Sequence, residues 1–136
     1  MDELQKSTQI ALSGMKAQTQ RLRVISENLA NADSLAQTPD GTPYKRKVVS
    51  FKQELDRANN LQRVVVDKVR PDNAEFQRRY DPKHPAADRE GYVLAPNVNP
   101  LIELMDMREA QRSYEANLSV INSSRSMLSR TVEMLR

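Results

Sequence analysis

The sequence lacks cysteine and tryptophan, and among its 136 residues only three are glycine and two are phenylalanine. Without cysteine the protein has no disulfide bonds and no thiolate metal sites, although this does not fix its compartment. The scarcity of glycine and phenylalanine disfavours a fold built mainly of sheets. No run approaches the roughly 18 apolar residues of a membrane-spanning helix, and the start does not resemble a signal peptide. We therefore expect neither a membrane span nor a cleavable export signal.

The balance of apolar and charged residues is lean for a globular core, with 38% hydrophobic and 29% charged residues and a mean hydropathy of −0.71. The net charge of +3 is unevenly placed. Residues 1–35 carry four basic and four acidic side chains and residues 96–136 carry five of each, whereas residues 44–95 carry twelve basic and eight acidic. A basic middle can meet nucleic acid, anionic lipid or an acidic protein surface. Because acidic residues interleave with it and no aromatic platform accompanies it, we expect a protein-facing surface and no nucleic acid.

The last third of the chain, residues 99–136, shows an unbroken 3-4 spacing that is typical of a coiled-coil seam. Asn99 suits the N-cap, Pro100 suits the first helical position, and Glu103 lies near the positive end of the helix dipole. A helix of this span is roughly 55 Å long, so it needs a long partner. The predicted seam consists of Leu104, Met107, Gln111, Tyr114, Leu118, Ile121, Arg125, Leu128, Val132 and Leu135.

The predicted partner is the N-terminal arm, which repeats the same spacing over about four heptads. Gly14 and the high content of glutamine, threonine and serine weaken this helix, so we expect it to be stable only when it is covered. The prediction is a mainly α fold with two helices paired as a coiled coil and a small irregular β module between them. Its parts are the arm 1–35, the outer module 36–98 and the helix 99–136. The predicted arm seam consists of Leu4, Thr8, Ala11, Met15, Gln18, Leu22, Ile25, Leu29 and Ala32.

The middle of the chain contains short β-branched segments separated by proline and glycine. Pro39, Gly41 and Pro43 end the first helix near Ala32. In chain order we predict a strand at 44–51, a turn or short helix at 52–61, the best strand at 61–70, a return strand at 75–80, an exposed loop at 81–91 and an extended piece at 92–94.

No constellation of residues predicts catalysis or a cofactor. His84 is the only histidine, and although Asp81 and Asp88 are near it in sequence, no second imidazole or thiolate accompanies it. We interpret it as a surface histidine. A glycine-rich phosphate loop, a nucleophile paired with histidine and a carboxylate pair on a rigid element are all absent from the sequence. We therefore expect a protein that is not an enzyme and holds no metal.

Five segments in order resemble the flagellar rod and hook protein family, the axial proteins of the basal body. They are Asn28–Ala32, Gly41–Lys47, Gly91–Val93, Pro96–Asn99 and Arg112–Asn117. The resemblance covers nearly the whole chain. Several motif blocks in the right order are far more specific than any one of them.

This resemblance implies a structural subunit of the proximal rod, which transmits torque. In the family both termini form α-helices of an inner tube around the export channel, and a small outer domain lies between them. The implied partners are other rod proteins, copies of the same subunit, the adaptor protein between rod and ring, and the flagellar type III export apparatus. The implied location is the rod in the periplasm, reached without a cleaved signal peptide.

Two other classes of protein remain open on the residues alone. A soluble coiled-coil adaptor or secretion chaperone forms a small closed oligomer, whereas a rod subunit joins open-ended assemblies. A nucleic-acid binder loses affinity steeply with salt. For the leading hypothesis, the expected subunit-interface residues are Met15, Leu22, Ile25, Asn28, Leu29, Asn31, Leu104, Met107, Tyr114, Asn117, Leu118, Ile121, Leu128, Val132 and Leu135.

Overall fold

The computed structural model of the protein describes residues 2–136 and contains two long helices and two small two-stranded sheets. It is mainly helical with a small β portion, as the sequence predicts. None of the helices in this range is long and apolar enough to cross a membrane. The elements are α1 Glu3–Ala30, β1 Lys47–Asp56, β2 Leu61–Pro71, β3 Gln77–Tyr80, β4 Tyr92–Ala95 and α2 Pro100–Met134.

The chain forms two compact units, to which α1, α2 and the β1–β2 hairpin each contribute different parts. The first unit contains the chain up to Leu22, Ser50–Lys68 and Arg108–Arg136. The second unit contains Arg23–Val49 and Val69–Met107.

In the first unit, α1 and α2 lie side by side and run in opposite directions. Gly14 faces the side chain of Asn117. About two turns further along α1, Arg21 forms an ion pair of 3.6 Å with Glu109, which comes earlier than Asn117 on α2. Small buried side chains on both helices, among them Ala11 and Ala110, allow this close approach. Pairing as a regular coiled coil stays a prediction.

The β1–β2 hairpin ends in the first unit, and its tip corrects the prediction of a turn or short helix at 52–61. The strand continues to Asp56, and only residues 57–60 turn. The Asp56 carboxylate accepts the backbone N–H groups of Ala58 and Asn59 at 3.1 and 3.4 Å, and Asn60 adopts a left-handed φ of 51°. The apolar residues of this segment have a helical spacing over barely two turns, which is a weak signal. Pairing with the long neighbouring strand β2 outweighs it. The first strand of the hairpin is therefore longer at its end than the sequence predicts.

The second unit contains the antiparallel β3–β4 pair, which matches the predicted return strand and extended piece. Its register pairs Gln77 with Ala95 and Tyr80 with Tyr92. Val93 is fully buried and packs with Ala36 and Ala86 in a small core.

The start of α2 is as predicted, whereas the predicted seam is exposed at every second position up to Ile121 and at every position from Arg125 onward. The Asn99 side chain accepts the N–H of Leu101 at 3.1 Å, which confirms the N-cap. The predicted pattern included Leu104 and Leu118 because they are large and apolar. In the structure these two side chains are exposed, and the residues one position earlier are buried or half-buried. The buried or half-buried stripe is Glu103, Met107, Ala110, Tyr114, Asn117, Ile121 and Ser124, and the exposed seam positions are Leu104, Gln111, Leu118, Arg125, Leu128, Val132 and Leu135.

Candidate functional site

The side chain of Asn28, near the end of α1, pairs with the first residue of β1 as a neighbouring strand does. Its Oδ1 accepts the N–H of Lys47 at 3.0 Å, and its Nδ2 donates to the carbonyl of Lys47 at 2.9 Å. Oδ1 also accepts the Tyr44 hydroxyl at 2.7 Å, and Nδ2 reaches Glu103 at 3.3 Å. Asn28 is only 1% exposed. All of its hydrogen-bonding capacity is therefore satisfied inside the protein.

A second asparagine, Asn97, bonds to the backbone of Arg46, the residue before Lys47. Its Oδ1 accepts the N–H of Arg46 at 2.7 Å, and its Nδ2 donates to the carbonyls of Asp72 and Ala74, both at 3.0 Å. The N–H of Asp72 in turn donates to the carbonyl of Arg46 at 2.7 Å. The backbone that enters β1 is thus bonded by two side-chain amides. Asn28 lies near the end of α1, and Asn97 lies just ahead of α2.

The guanidinium of Arg46 binds three carboxylates. Its Nε donates to Glu103, Nη1 to Asp72 at 3.0 Å, and Nη2 to Asp106 at 3.4 Å. Glu103 is completely buried, so Arg46 supplies the compensating charge that a buried carboxylate needs. We call Asn28, Tyr44, Arg46, Lys47, Asp72, Asn97, Glu103 and Asp106 the polar junction.

Contacts within the polar junction favour the charged forms of Arg46 and Asp72. Burial alone lowers the pKa of Arg46, but its hydrogen bonds to Glu103 and Asp72 raise that pKa above the usual value overall. The backbone N–H of Ala74, followed by Arg46, lowers the pKa of the Asp72 carboxyl. Burial, helped by Glu27 and Glu103, raises the pKa of the Tyr44 phenol. The arrangement anchors the start of the hairpin through its hydrogen bonds and ion pairs.

Three of the five segments that carried the family resemblance meet at the polar junction: 28–32, 41–47 and 96–99. Sequence reasoning missed Asp72, Glu103 and Asp106 as its carboxylates. Glu103 was interpreted only through the helix dipole, because charges that lie 57 positions apart leave no local pattern.

The structure distributes the predicted interface residues between buried and exposed positions. Asn31 bonds locally, donating to the carbonyl of Glu27 at 2.9 Å. The interface roles themselves stay predictions. Buried or half-buried are Met15, Leu22, Ile25, Asn28, Leu29, Asn31, Met107, Tyr114, Asn117 and Ile121, whereas Leu104, Leu118, Leu128, Val132 and Leu135 are exposed.

His84 forms a hydrogen bond within its own loop. Its Nδ1 accepts the N–H of Ala86 at 3.0 Å, next to the small core. Within residues 2–136 no group of His, Asp and Glu side chains is arranged to hold a metal ion.

Gly14 is explained by its neighbour on α2. A Cβ atom at this position would lie 2.7 Å from Nδ2 of Asn117. We expect Gly14→Ala to change the free energy of unfolding little, because a gain of about 1 kcal/mol in helix propensity is offset by displacement of the amide. In an Asn117→Ala background the same change should stabilise by about 1 kcal/mol. Urea unfolding of the four variants measures this coupling.

The control for this cycle replaces Asn117→Ala by Asn122→Ala, an exposed position on the same helix. There Gly14→Ala should have its original small effect. Equal effects of Gly14→Ala in all three backgrounds would show that Asn117 does not constrain this glycine.

Two long helices, one from each end of the chain, with large apolar side chains left exposed, are typical of a structural subunit that assembles with partners. The protein-family model "Flagella basal body rod protein" matches residues 9–34, within α1 and the turn after it. The model "Flagellar basal body rod FlgEFG protein C-terminal" matches residues 89–134, from before β4 to the end of α2. These two matches together cover more than half of the chain.

Curated relatives align over nearly the full length and carry the name flagellar basal-body rod protein FlgC. The protein from Agrobacterium fabrum is 49% identical over all of this chain and 98% of its own length. That from Salmonella typhimurium is 40% identical, with 92% of each chain covered, and that from Bacillus subtilis is 36% identical, with 94% and 95% covered. The chain therefore belongs to the flagellar basal-body rod protein family, within the group of FlgC proteins. The resemblance that the motif segments indicated is confirmed.

Proposed function

We propose that the protein is a structural subunit of the flagellar basal-body rod and acts by assembly, not by catalysis. The family supports this role, and the full-length relatives favour it over the soluble adaptor or secretion chaperone. The observation that carries it is the exposure of large apolar side chains along α2, including Leu104 at 52% and Leu118 at 40%. Exposed apolar surface of this extent is typical of a protein that is covered by partners.

We further propose how the parts of the chain share this work. The arm 1–35 and the helix 99–136 enter the inner tube around the export channel, and the segment 36–98 contacts surrounding subunits. The proposed partners are copies of the same chain, other rod proteins, the adaptor between rod and ring and, during delivery, the type III export apparatus. The proposed location is the proximal rod in the periplasm.

The test is the double substitution Leu104→Asp with Leu118→Asp. Both side chains are exposed, so the free energy of unfolding should stay within about 0.5 kcal/mol of wild type. In the rod the same carboxylates would be buried against neighbours, where an unpaired charge costs several kcal/mol. We expect the variant to fold and to be absent from isolated basal bodies, with loss of motility.

The matched control is Ser119→Asp with Ser126→Asp, which adds the same charge to exposed positions of the same helix. This variant should be incorporated. Wild-type incorporation of the leucine variant would contradict the proposal, and a small closed oligomer of the purified protein would favour the adaptor.

A further inference from the structure

The loop between β3 and β4, residues 81–91, contains two side chains that accept backbone N–H groups of the loop. Nearer its start, Nδ1 of His84 accepts the N–H of Ala86 at 3.0 Å. Nearer its end, the carboxylate of Asp88 accepts the N–H groups of Glu90 and Tyr92, both at 2.9 Å. We call His84 the first anchor and Asp88 the second anchor. They differ in chemistry, because one is an imidazole and the other a carboxylate.

The first anchor holds a buried residue. Ala86 is 4% exposed and packs with Ala36 and Val93 in the small core. Among the residues that the structure describes, no group other than His84 accepts the N–H of Ala86. A buried N–H that loses its acceptor is costly, since water does not replace the lost partner. The packing of Ala86 therefore depends on His84 being able to accept a hydrogen bond.

An imidazole accepts a hydrogen bond at Nδ1 only when the ring is neutral and carries its proton on Nε2. In the protonated ring both nitrogens are donors, so Nδ1 of His84 would direct a hydrogen at the N–H of Ala86. Imidazoles ordinarily change charge between about pH 5 and pH 8. The hydrogen bond to Ala86 is therefore available while His84 is neutral and is lost as the pH falls and the ring takes up its proton.

The second anchor does not change charge in this range. A hydrogen bond from the backbone N–H of Tyr92 is the largest cause that holds the pKa of the Asp88 carboxyl below its ordinary value, and the N–H of Glu90 and the Arg78 guanidinium add to it. Arg78 lies 3.3 Å from Asp88. Asp88 therefore stays ionised where imidazoles titrate, and its contacts with the end of the loop persist.

The charged groups around His84 do not compensate a positive ring. Lys83 is its neighbour in the chain, and Asp81 contacts it through the backbone carbonyl, which accepts the N–H of His84 at 3.1 Å. Across a groove of about 450 Å³ that His84 shares with residues 33–37, the carboxylate is that of Asp33, which is already paired with Arg79 at 2.8 Å. No carboxylate in the described part of the chain forms an ion pair with His84.

We propose that His84 is a pH-sensitive switch of the loop 81–91, which is closed when the imidazole is neutral and open at Ala86 when it is protonated. Only the half of the loop that contains Ala86 opens, because Asp88 keeps the other half in place. The switch is a property of the single chain and does not depend on the proposed role in the rod. Its consequence for assembly would be a change, with pH, in the segment 36–98 that we propose to contact surrounding subunits.

The test is amide exchange of the full-length protein, measured by NMR at about pH 5 and about pH 7.5, which span the range in which imidazoles titrate. Rates are divided by the intrinsic exchange rate at each pH. The protection of the Ala86 amide should fall about three- to tenfold at the lower pH, because the hydrogen bond that protects it is lost. The amide of Tyr92, held by Asp88, should keep its protection. Nitrogen chemical shifts of the imidazole should place the proton on Nε2 at the higher pH.

Two substitutions distinguish a titrating acceptor from one with a structural role alone. His84→Asn keeps a side-chain acceptor for the N–H two residues further on but does not titrate, so Ala86 should be equally protected at both pH values. His84→Ala removes the acceptor, so Ala86 should be equally unprotected at both.

Three results would overturn the switch. The first is equal protection of Ala86 at both pH values in the wild type. The second is a fall of wild-type size in His84→Asn, which would assign the pH dependence to another group. The third is a parallel fall at Tyr92, which would show that the whole loop loosens and that the two anchors do not act separately.

Discussion

Replacing Arg46 by glutamine is expected to lower the free energy of unfolding by about 3–5 kcal/mol, because the change leaves the buried Glu103 carboxylate without its countercharge. Asp72 and Asp106 approach the same site and would add repulsion. This loss is a large part of the total stability of about 5–15 kcal/mol that is usual for a protein. The measurement is the urea midpoint of the full-length protein, followed by amide exchange of the residues entering β1.

The matched control is Arg70→Gln, which removes a cation of the same hairpin that lacks an ion pair in the described chain; its effect should stay within about 0.5 kcal/mol. A rescue variant adds Glu103→Gln to Arg46→Gln and should recover part of the loss, because a neutral amide is easier to bury than an unpaired carboxylate. If Arg46→Gln is as mild as Arg70→Gln, the polar junction does not hold the hairpin.

Asn28→Asp is the second substitution for which we expect a large effect, although it changes the shape of the side chain least. The new carboxylate has no donor for the Lys47 carbonyl and faces Glu103 across a contact of 3.3 Å. Two lost hydrogen bonds and a buried like charge should together destabilise by about 3–5 kcal/mol. Denaturant unfolding measures the effect, and incorporation into basal bodies should fall with it.

Asn122→Asp adds an identical charge at an exposed position of α2 and should leave the stability unchanged. A second comparison, Asn28→Gln, keeps the amide but moves it by one methylene, so it tests geometry without charge. Stability of Asn28→Asp equal to that of Asn122→Asp would show that the amide does not act as the partner of β1.

The long elements could be predicted because their signals are local. A proline after an asparagine marks the start of α2, the run of valines marks β2, and both outcomes depend on neighbours within a few residues. Periodicity also identified the buried side of α1, where every predicted seam residue is buried or half-buried. The family could be recognised for a similar reason, since short motif segments in the right order along the chain are enough to identify it.

The polar junction lay beyond sequence reasoning, because its ion pairs and amide contacts join residues 16 to 75 positions apart. Asn28 and Asn97 were noticed only within motif segments, and their bonds to the backbone of β1 have no sequence signature. The contact between the rings of Tyr80 and Tyr92 was missed for the same reason, since the register of two strands across a loop brings them together.

By itself, the sequence determined that this chain has helices at both ends, strands between them, no thiol chemistry and the motifs of the rod family. Only the tertiary structure decided which side of α2 is buried. A 3-4 pattern allows two neighbouring phases, and the apolar residues Leu104 and Leu118 favoured one of them. The structure buries the other, because Ala110 and Asn117 let the helices approach closely and Glu103 is neutralised by Arg46. The leucines are thereby left on the surface, where we propose that neighbouring subunits contact them.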